Sequence, residues 1–264
     1  MKNRHLILTN GRSGSNFLAN SLNKHPNIVN YGEVLANKLK PYIFYDKSKQ
    51  YKIYSGSIID YLHYIYTSKT FFYGAQLYSA YSHFRKKKPI NFKTWGKVTH
   101  IGTRDFFLNY RKKNAWDFIF SNQDVAIIYL YRENLLRRCL SNVFLAKTGV
   151  AASEKPGEVQ KVNINLSELM KKLEILDDEV AHEKRMLGEL KDHRLIAIKY
   201  EDYFVDETSI LTHNQQIFEF LGVEVLQLKS QHKKLLPQQM CDLIGNYDEF
   251  YTHISNTPYQ KYLD

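Results

Sequence analysis

The stretch NGRSGSNFL, residues 10–18, gathers the residues of this chain best suited to hold a phosphate. Gly11 and Gly14 flank Arg12 and Ser13, and Ser15 and Asn16 follow at once. The turn comes directly after the apolar run Leu6, Ile7, Leu8 and directly before a helical pattern in which Phe17, Leu18 and Leu22 recur until Pro26. Strand, glycine turn and helix in that order bring backbone N–H groups and the positive end of the helix onto one anion. Arg12 adds fixed charge, and the Ser13, Ser15 and Asn16 side chains add donors. A Walker A loop reads GxxxxGK[ST]; here the spacing is shorter, and Asn16 stands where the lysine and the magnesium-binding hydroxyl belong. The turn therefore suits a phosphate held without a bridging cation, and no metal site is expected.

Such a turn needs a sheet to carry it. Four short apolar runs read as buried parallel strands: RHLILT (4–9), KVTHIG (97–102), VAIIYLY (125–131) and LIAIKY (195–200). Between the third and fourth, Leu166, Leu169, Leu173, Leu176, Val180, Leu187 and Leu190 mark one face of a long amphipathic helix. A last helix near 208–221 carries Ile210, Leu211, Ile217, Phe218 and Leu221, with Gly222 placed for a left-handed helix end. The alternation predicts an α/β fold, a mainly parallel sheet of four or five strands with helices on both faces, and ligands binding beyond the strand C-terminal ends. Residues 37–95, rich in tyrosine and ending near the basic run RKKK at 85–88, are expected to form a mostly helical insertion or cap. Residues 148–165 are small, polar and unperiodic, which predicts a loop.

Composition narrows the function classes. The 264 residues with 44% hydrophobic content suit one globular domain over 1–264. The first strand begins so early that no secretory leader fits before it, and no run approaches the ~18 apolar residues that span a bilayer. The expectation is a cytoplasmic protein with no integral membrane segment, at most peripheral to a membrane. Cys139 and Cys241 have no metal-ligand or redox spacing, so both are expected as reduced thiols. The net charge of +10 favours anionic ligands without choosing among them. Nucleic acid is not expected as a partner, because no zinc spacing and no RNA-binding motif accompanies the charge.

The longer stretch NGRSGSNFLANSLNKHPNIVNYGEVL resembles the start of the P-loop sulfotransferases, above all bacterial and cyanobacterial carbohydrate-type members. In these an R-[ST]-G-[ST] loop is followed by a helix, a His-Pro and a Gly-Glu. The resemblance implies a P-loop NTPase-like fold and a loop binding the 5′-phosphosulfate end of 3′-phosphoadenosine-5′-phosphosulfate (PAPS), with 3′,5′-ADP as product and no metal. IIYLYRENLLRRCLSNVFLAKTG looks like the family's 3′-phosphate region, which assigns Arg132 and Ser141 to that phosphate. Their interval is one residue longer than many animal cytosolic members use, and Arg137, one turn before Ser141, could replace Arg132. An arginine fork and a short hydroxyl would tell a nucleotide with the extra phosphate from plain ADP. LIAIKYEDYFVD resembles the family's Tyr-Glu-Asp strand end, and Lys229, Lys233 or Lys234 are basic residues that could reach the nucleotide.

The resemblance also distributes catalytic roles. Glu33, after Gly32 in YGEVL, takes the place of the general base proposed in related bacterial enzymes. His100 in KVTH resembles the base of the animal Lys-Thr-His motif, with Lys97 contacting the transferred group, although the added residue between them flips one side chain relative to the other on a strand. Base and orienting duties stay open between Glu33 and His100. Arg12 stands where animal members use lysine, and Arg104 is a further candidate for an anionic acceptor. The expected reaction moves a sulfuryl group to a hydroxyl of a carbohydrate or lipid-linked acceptor bound by the tyrosine-rich segment; the family includes dimers, so a homodimer is admitted. The alternatives are a magnesium-dependent small-molecule kinase or nucleoside triphosphatase, and a non-catalytic binder of anionic polymers.

Overall fold

Leu6, Ile7 and Leu8 are fully buried because the strand they belong to, β1 (Asn3–Thr9), has a parallel neighbour on each edge and helices on each face. The computed structural model describes residues 2–148, 161–227 and 239–263. β2 (Ile28–Asn30), β3 (His100–Phe106), β4 (Val125–Tyr131) and β5 (Leu195–Lys199) complete an all-parallel sheet of order β2-β3-β1-β4-β5. The fold class is the one expected, with five strands. Chain order takes the polypeptide from β1 out to one edge, back through β3 and then past β1 to β4, so β1 is central and its C-terminal end opens where the order reverses.

α1 (Ser15–Lys24) follows β1, and the insertion supplies α2 (Lys40–Gln50), α3 (Ile58–Thr67) and α4 (Lys69–Arg85). α5 (Phe107–Lys112) and α6 (Trp116–Phe120) lead into β4, then come α7 (Leu135–Thr148), α8 (Leu166–Gly188), α9 (Tyr200–Tyr203), α10 (Glu207–Leu221) and α11 (Tyr247–Ser255). By contacts the chain divides into two compact units, Met1–Tyr131 with Leu187–Ser230, and Arg132–Met186 with Gln231–Asp264. The first contains the whole sheet.

In that unit α1 and α10 cover one face. Leu18, Leu22, Ile210, Ile217 and Phe218 pack on Ile7, Ile128, Leu130 and Ile198. Gly222 ends α10 with φ 71°, as its position suggested. α3, α5 and α6 cover the other face, where the ring of Tyr66 stacks on Phe118 and Phe107 meets Tyr129 edge-on. Burial favours pairing of the polar atoms here, and the Tyr66 hydroxyl is paired, whereas the Tyr110 hydroxyl and His5 Nδ1 have no hydrogen-bond partner among the described residues. The Tyr66 hydroxyl reaches the His5 carbonyl at 3.1 Å and Thr103 Oγ1 at 2.8 Å. His5 lies over Gly102 so closely that a Cβ there would fall 2.1 Å from its Nε2. Burial, with His100 nearby, lowers the His5 pKa to about 3, so this ring is neutral.

Within the insertion Tyr42, Tyr45, Tyr54, Tyr61 and Tyr64 pack on one another: Tyr61 lies 4.8 Å from Tyr45 between ring centroids, and its hydroxyl donates to Pro41 O at 2.6 Å. The Ser57–Asp60 capping box starts α3. Buried Lys93 closes the insertion by donating to the carbonyls of Asn23, His25 and Ile28, and burial lowers its pKa to about 8.

The second unit is helical, with a core of Leu136, Leu140 and Phe144 from α7, Leu169, Leu173 and Leu176 from α8, and Phe250 and Ile254 from α11. The leucine stripe expected on α8 is the face it buries. Cys139 and Cys241 are free; Cys139 is buried, which pushes its thiol up to about 11.

Candidate functional site

The loop after β1 is built from the strand end outward. Thr9 Oγ1 donates to Leu130 O at 2.6 Å, tying the ends of β1 and β4 together. Ser13 is fully buried; its hydroxyl lies 2.5 Å from Thr9 Oγ1 and donates to Asn10 O at 2.8 Å. It braces the turn from inside, so the donor expected of its side chain is spent within the loop. Arg12 and Gly14 both have left-handed backbone, φ 63° and 76°. For Arg12 that conformation costs about 1–2 kcal/mol. At Gly14 a side chain is also excluded by space, since a Cβ would lie 2.4 Å from Cε2 of Phe204.

Gly14 is the N-cap of α1, without a side-chain cap and without an acidic residue in the first turn. The first amides of a helix have no intrahelical acceptor, and an anion is the natural partner for an end left in this state. Ser15 is buried, Asn16 is exposed on the outer side of the first turn, and Gly11 and Arg12 are half-buried. Burial lowers the Arg12 pKa while the Tyr200 phenol opposes the shift. Phe17, the next aromatic residue, packs edge-on against Tyr203 and Phe204, so the Tyr-Glu-Asp segment after β5 forms the wall behind the loop.

Glu33 reaches the same end of the sheet through a turn at Gly32, φ 73°, held by Asn30 Oδ1 accepting from Gly32 N at 2.9 Å and by Arg104 N donating to Gly32 O at 3.0 Å. Arg104 joins the parts: Nη1 donates to Ser15 Oγ at 3.1 Å and Nη2 to Glu33 Oε1 at 2.5 Å. The guanidinium is buried, and its Nε has no hydrogen-bond partner among the described residues. Beside it Asp105, also buried, accepts from the amides of Val34 (3.0 Å) and Leu35 (2.8 Å) through Oδ2 and from Phe106 N (3.0 Å) and the Asn109 amide (2.5 Å) through Oδ1. Burial raises the Asp105 pKa to about 6, against these hydrogen bonds. Sequence reasoning passed over Asp105 and gave Arg104 a minor part. The signal was in GTRDF, a strand whose charged residues can be buried only with partners: Arg104 has Ser15 and Glu33, and Asp105 has three backbone amides and Asn109.

His100 and Lys97 do not join this group. β3 begins at His100, which pairs in register with Asn3, whereas the loop follows Thr9, paired with Phe106. Six strand residues at ~3.3 Å each separate the two ends by roughly 20 Å. His100 is buried, its Nε2 3.2 Å from Asn3 Nδ2 and its Nδ1 3.0 Å from Thr99 Oγ1. Burial lowers its pKa. Lys97 is exposed in the turn before β3. The strand starts at the histidine and runs past it, which puts KVTH, expected to take catalytic parts, at the end of the sheet away from the loop.

Arg132, Arg137 and Ser141 belong to the second unit. Arg132 follows the last residue of β4. Asn134 caps α7, its Oδ1 accepting from Arg137 N at 2.8 Å. Arg137 and Ser141 stand one turn apart on that helix; Ser141 is buried and both arginines are half-buried. Arg138, between them, pairs with Glu179 at 2.8 Å. Lys229, Lys233, Lys234 and residues 149–160 of the expected loop lie outside the described residues. No helix among the described residues is long and apolar enough to cross a membrane.

No family model matches the chain, and no curated protein matches it in sequence. Among solved structures it is similar to a sulfotransferase from Alicyclobacillus acidocaldarius, at a TM-score of 0.46 and 14% identity, over 100% of this chain and 94% of that one. That likeness is too distant to bear on the chemistry.

Proposed function

We propose that the chain is a sulfotransferase that moves a sulfuryl group from PAPS to a hydroxyl of a glycan, glycolipid or related metabolite. One observation carries the reading: a phosphate-type loop on the central strand, with a helix end left uncapped, is joined through Arg104 to a carboxylate, Glu33. The residues fit such a donor. The left-handed backbone at Arg12 and Gly14 opens the turn, the first-turn amides lack a side-chain cap, and a buried Arg104 Nε stands unpartnered among the described residues.

When bound, the donor supplies an activated sulfuryl group, and its transfer leaves 3′,5′-ADP. In this reading Gly11, Gly14, Ser15 and Asn16 offer donors to the 5′-phosphate, and Arg12 opposes the charge that develops there. Glu33 accepts the acceptor's proton on Oε2, because Oε1 is engaged by Arg104. Arg104 is a positioning residue that fixes the base relative to the first residue of the phosphate-binding helix. Arg132 and Ser141, with Arg137 as the alternative to Arg132, keep the 3′-phosphate role that the resemblance assigns. The absence of a lysine and a magnesium-binding hydroxyl in the loop speaks against the kinase or triphosphatase reading.

The test is thermal. In magnesium-free buffer, 3′,5′-ADP should raise the melting temperature well above the shift given by ATP, since a ligand that binds only the folded state adds to its stability. Equal shifts, or stabilisation by ATP only when magnesium is present, would defeat the proposal.

A further inference from the structure

α4 turns only Phe72 and Gln76 fully inward. On its exposed side Leu77, Tyr81 and Phe84 follow one another at steps of about one turn, so they share a face. Leu77 is 63% exposed, Tyr81 59% and Phe84 72%. Single apolar groups scattered over a surface are ordinary; a row of them along one helix is not. Nor does the helix dilute the row with charge, for it has no Asp, Glu, Lys or Arg between Lys69 and Arg85. At its end come Arg85, Lys86, Lys87 and Lys88, all exposed. The charge is one-sided along the chain as well, with no Asp or Glu between Asp60 and Asp105.

We propose that α4 and the basic run after it form a docking surface for an anionic lipid bilayer, the helix lying flat in the interface. Leu77 and Phe84 would enter the acyl boundary, while Tyr81 suits the headgroup level, with its ring body in apolar surroundings and its hydroxyl wet. Arg85 and the three lysines meet lipid phosphates, and each basic residue near such a surface strengthens binding about fivefold. A folded partner would have to bring both an apolar groove and a set of carboxylates to this face, whereas a bilayer offers both everywhere. A second copy of the chain would bring another basic run, and like charges brought together oppose docking. This surface is independent of the loop chemistry, and either proposal can fail alone.

The test uses the full chain sedimented with vesicles of phosphatidylcholine and with vesicles of equal parts phosphatidylcholine and phosphatidylglycerol. Binding is expected to the second kind and to be far weaker to the first. The triple variant Lys86→Gln/Lys87→Gln/Lys88→Gln should lose on the order of 100-fold in affinity. Leu77→Ser/Phe84→Ser should lose about tenfold or more through its apolar area. Both variants should keep the wild-type melting temperature, because every altered side chain is exposed. No preference for phosphatidylglycerol, or binding unchanged in either variant, would overturn the proposal. So would a dimer in solution that Leu77→Ser/Phe84→Ser dissociates while the wild type ignores vesicles, the result expected if a second copy covers the stripe.

Discussion

Arg104 decides what the site can do, because one buried guanidinium holds both the serine that opens α1 and the carboxylate that follows Gly32. Glu33→Gln keeps an oxygen for Arg104 but cannot take a proton. Turnover should fall about a hundred- to ten-thousand-fold, with 3′,5′-ADP affinity nearly unchanged by calorimetry. His100→Gln should leave turnover within a few fold, since that ring lies at the other end of β3; a loss matching that of Glu33→Gln would mean the base has been misassigned. Gly14→Ala meets both a left-handed backbone and the Phe204 ring, and should cost at least ~1–2 kcal/mol in urea unfolding together with the nucleotide-induced melting shift. The glycine turn after an apolar strand was legible in sequence from its composition, whereas Glu33 was singled out by the family resemblance alone. The contacts of Arg104 were not legible, because its partners lie 71 and 89 positions away and nothing local points to them.

The strands differ in how plainly they could be read. β1 and β4 are enclosed by neighbours and helices, so their residues form near-continuous apolar runs with boundaries close to those observed. β2 has three residues, too few for any periodicity. β3 is buried yet contains His100, Thr103, Arg104 and Asp105, and an apolarity criterion placed it three residues early. That burial has a titration consequence. With the Asp105 pKa raised from 3.8 to about 6, the folded chain prefers the protonated acid more than the unfolded chain does. The stabilising share is complete below about pH 4 and is lost as pH rises through 6. Relative to Asp105→Asn, the wild type should therefore lose about 3 kcal/mol of unfolding free energy between those limits and stay level above them, as urea titrations at several pH values would record. A difference that grows in the opposite direction would mean that the four hydrogen bonds to this carboxylate outweigh its burial.

Over the whole molecule, a net charge of +10 should draw a nucleotide with several phosphates toward the protein at long range. Screening shortens that reach from about 10 Å at 0.1 M salt to about 3 Å at 1 M, so stopped-flow association of 3′,5′-ADP should slow severalfold while dissociation changes little. Whole-molecule organisation was legible only in part. Strand and helix alternation pointed to the sheet, but the partition at Arg132 and Met186 follows from contacts between remote segments that no local pattern announces. Within the first unit, one close approach has a dynamic meaning. Phe204 fills the space that a side chain at position 14 would claim, and Phe17 leans on the same ring. The turn cannot breathe unless that aromatic plug withdraws, so deuterium should enter the amides of Phe17 and Leu18 and those of Tyr203 and Phe204 at one shared pace, as if a single latch governed both.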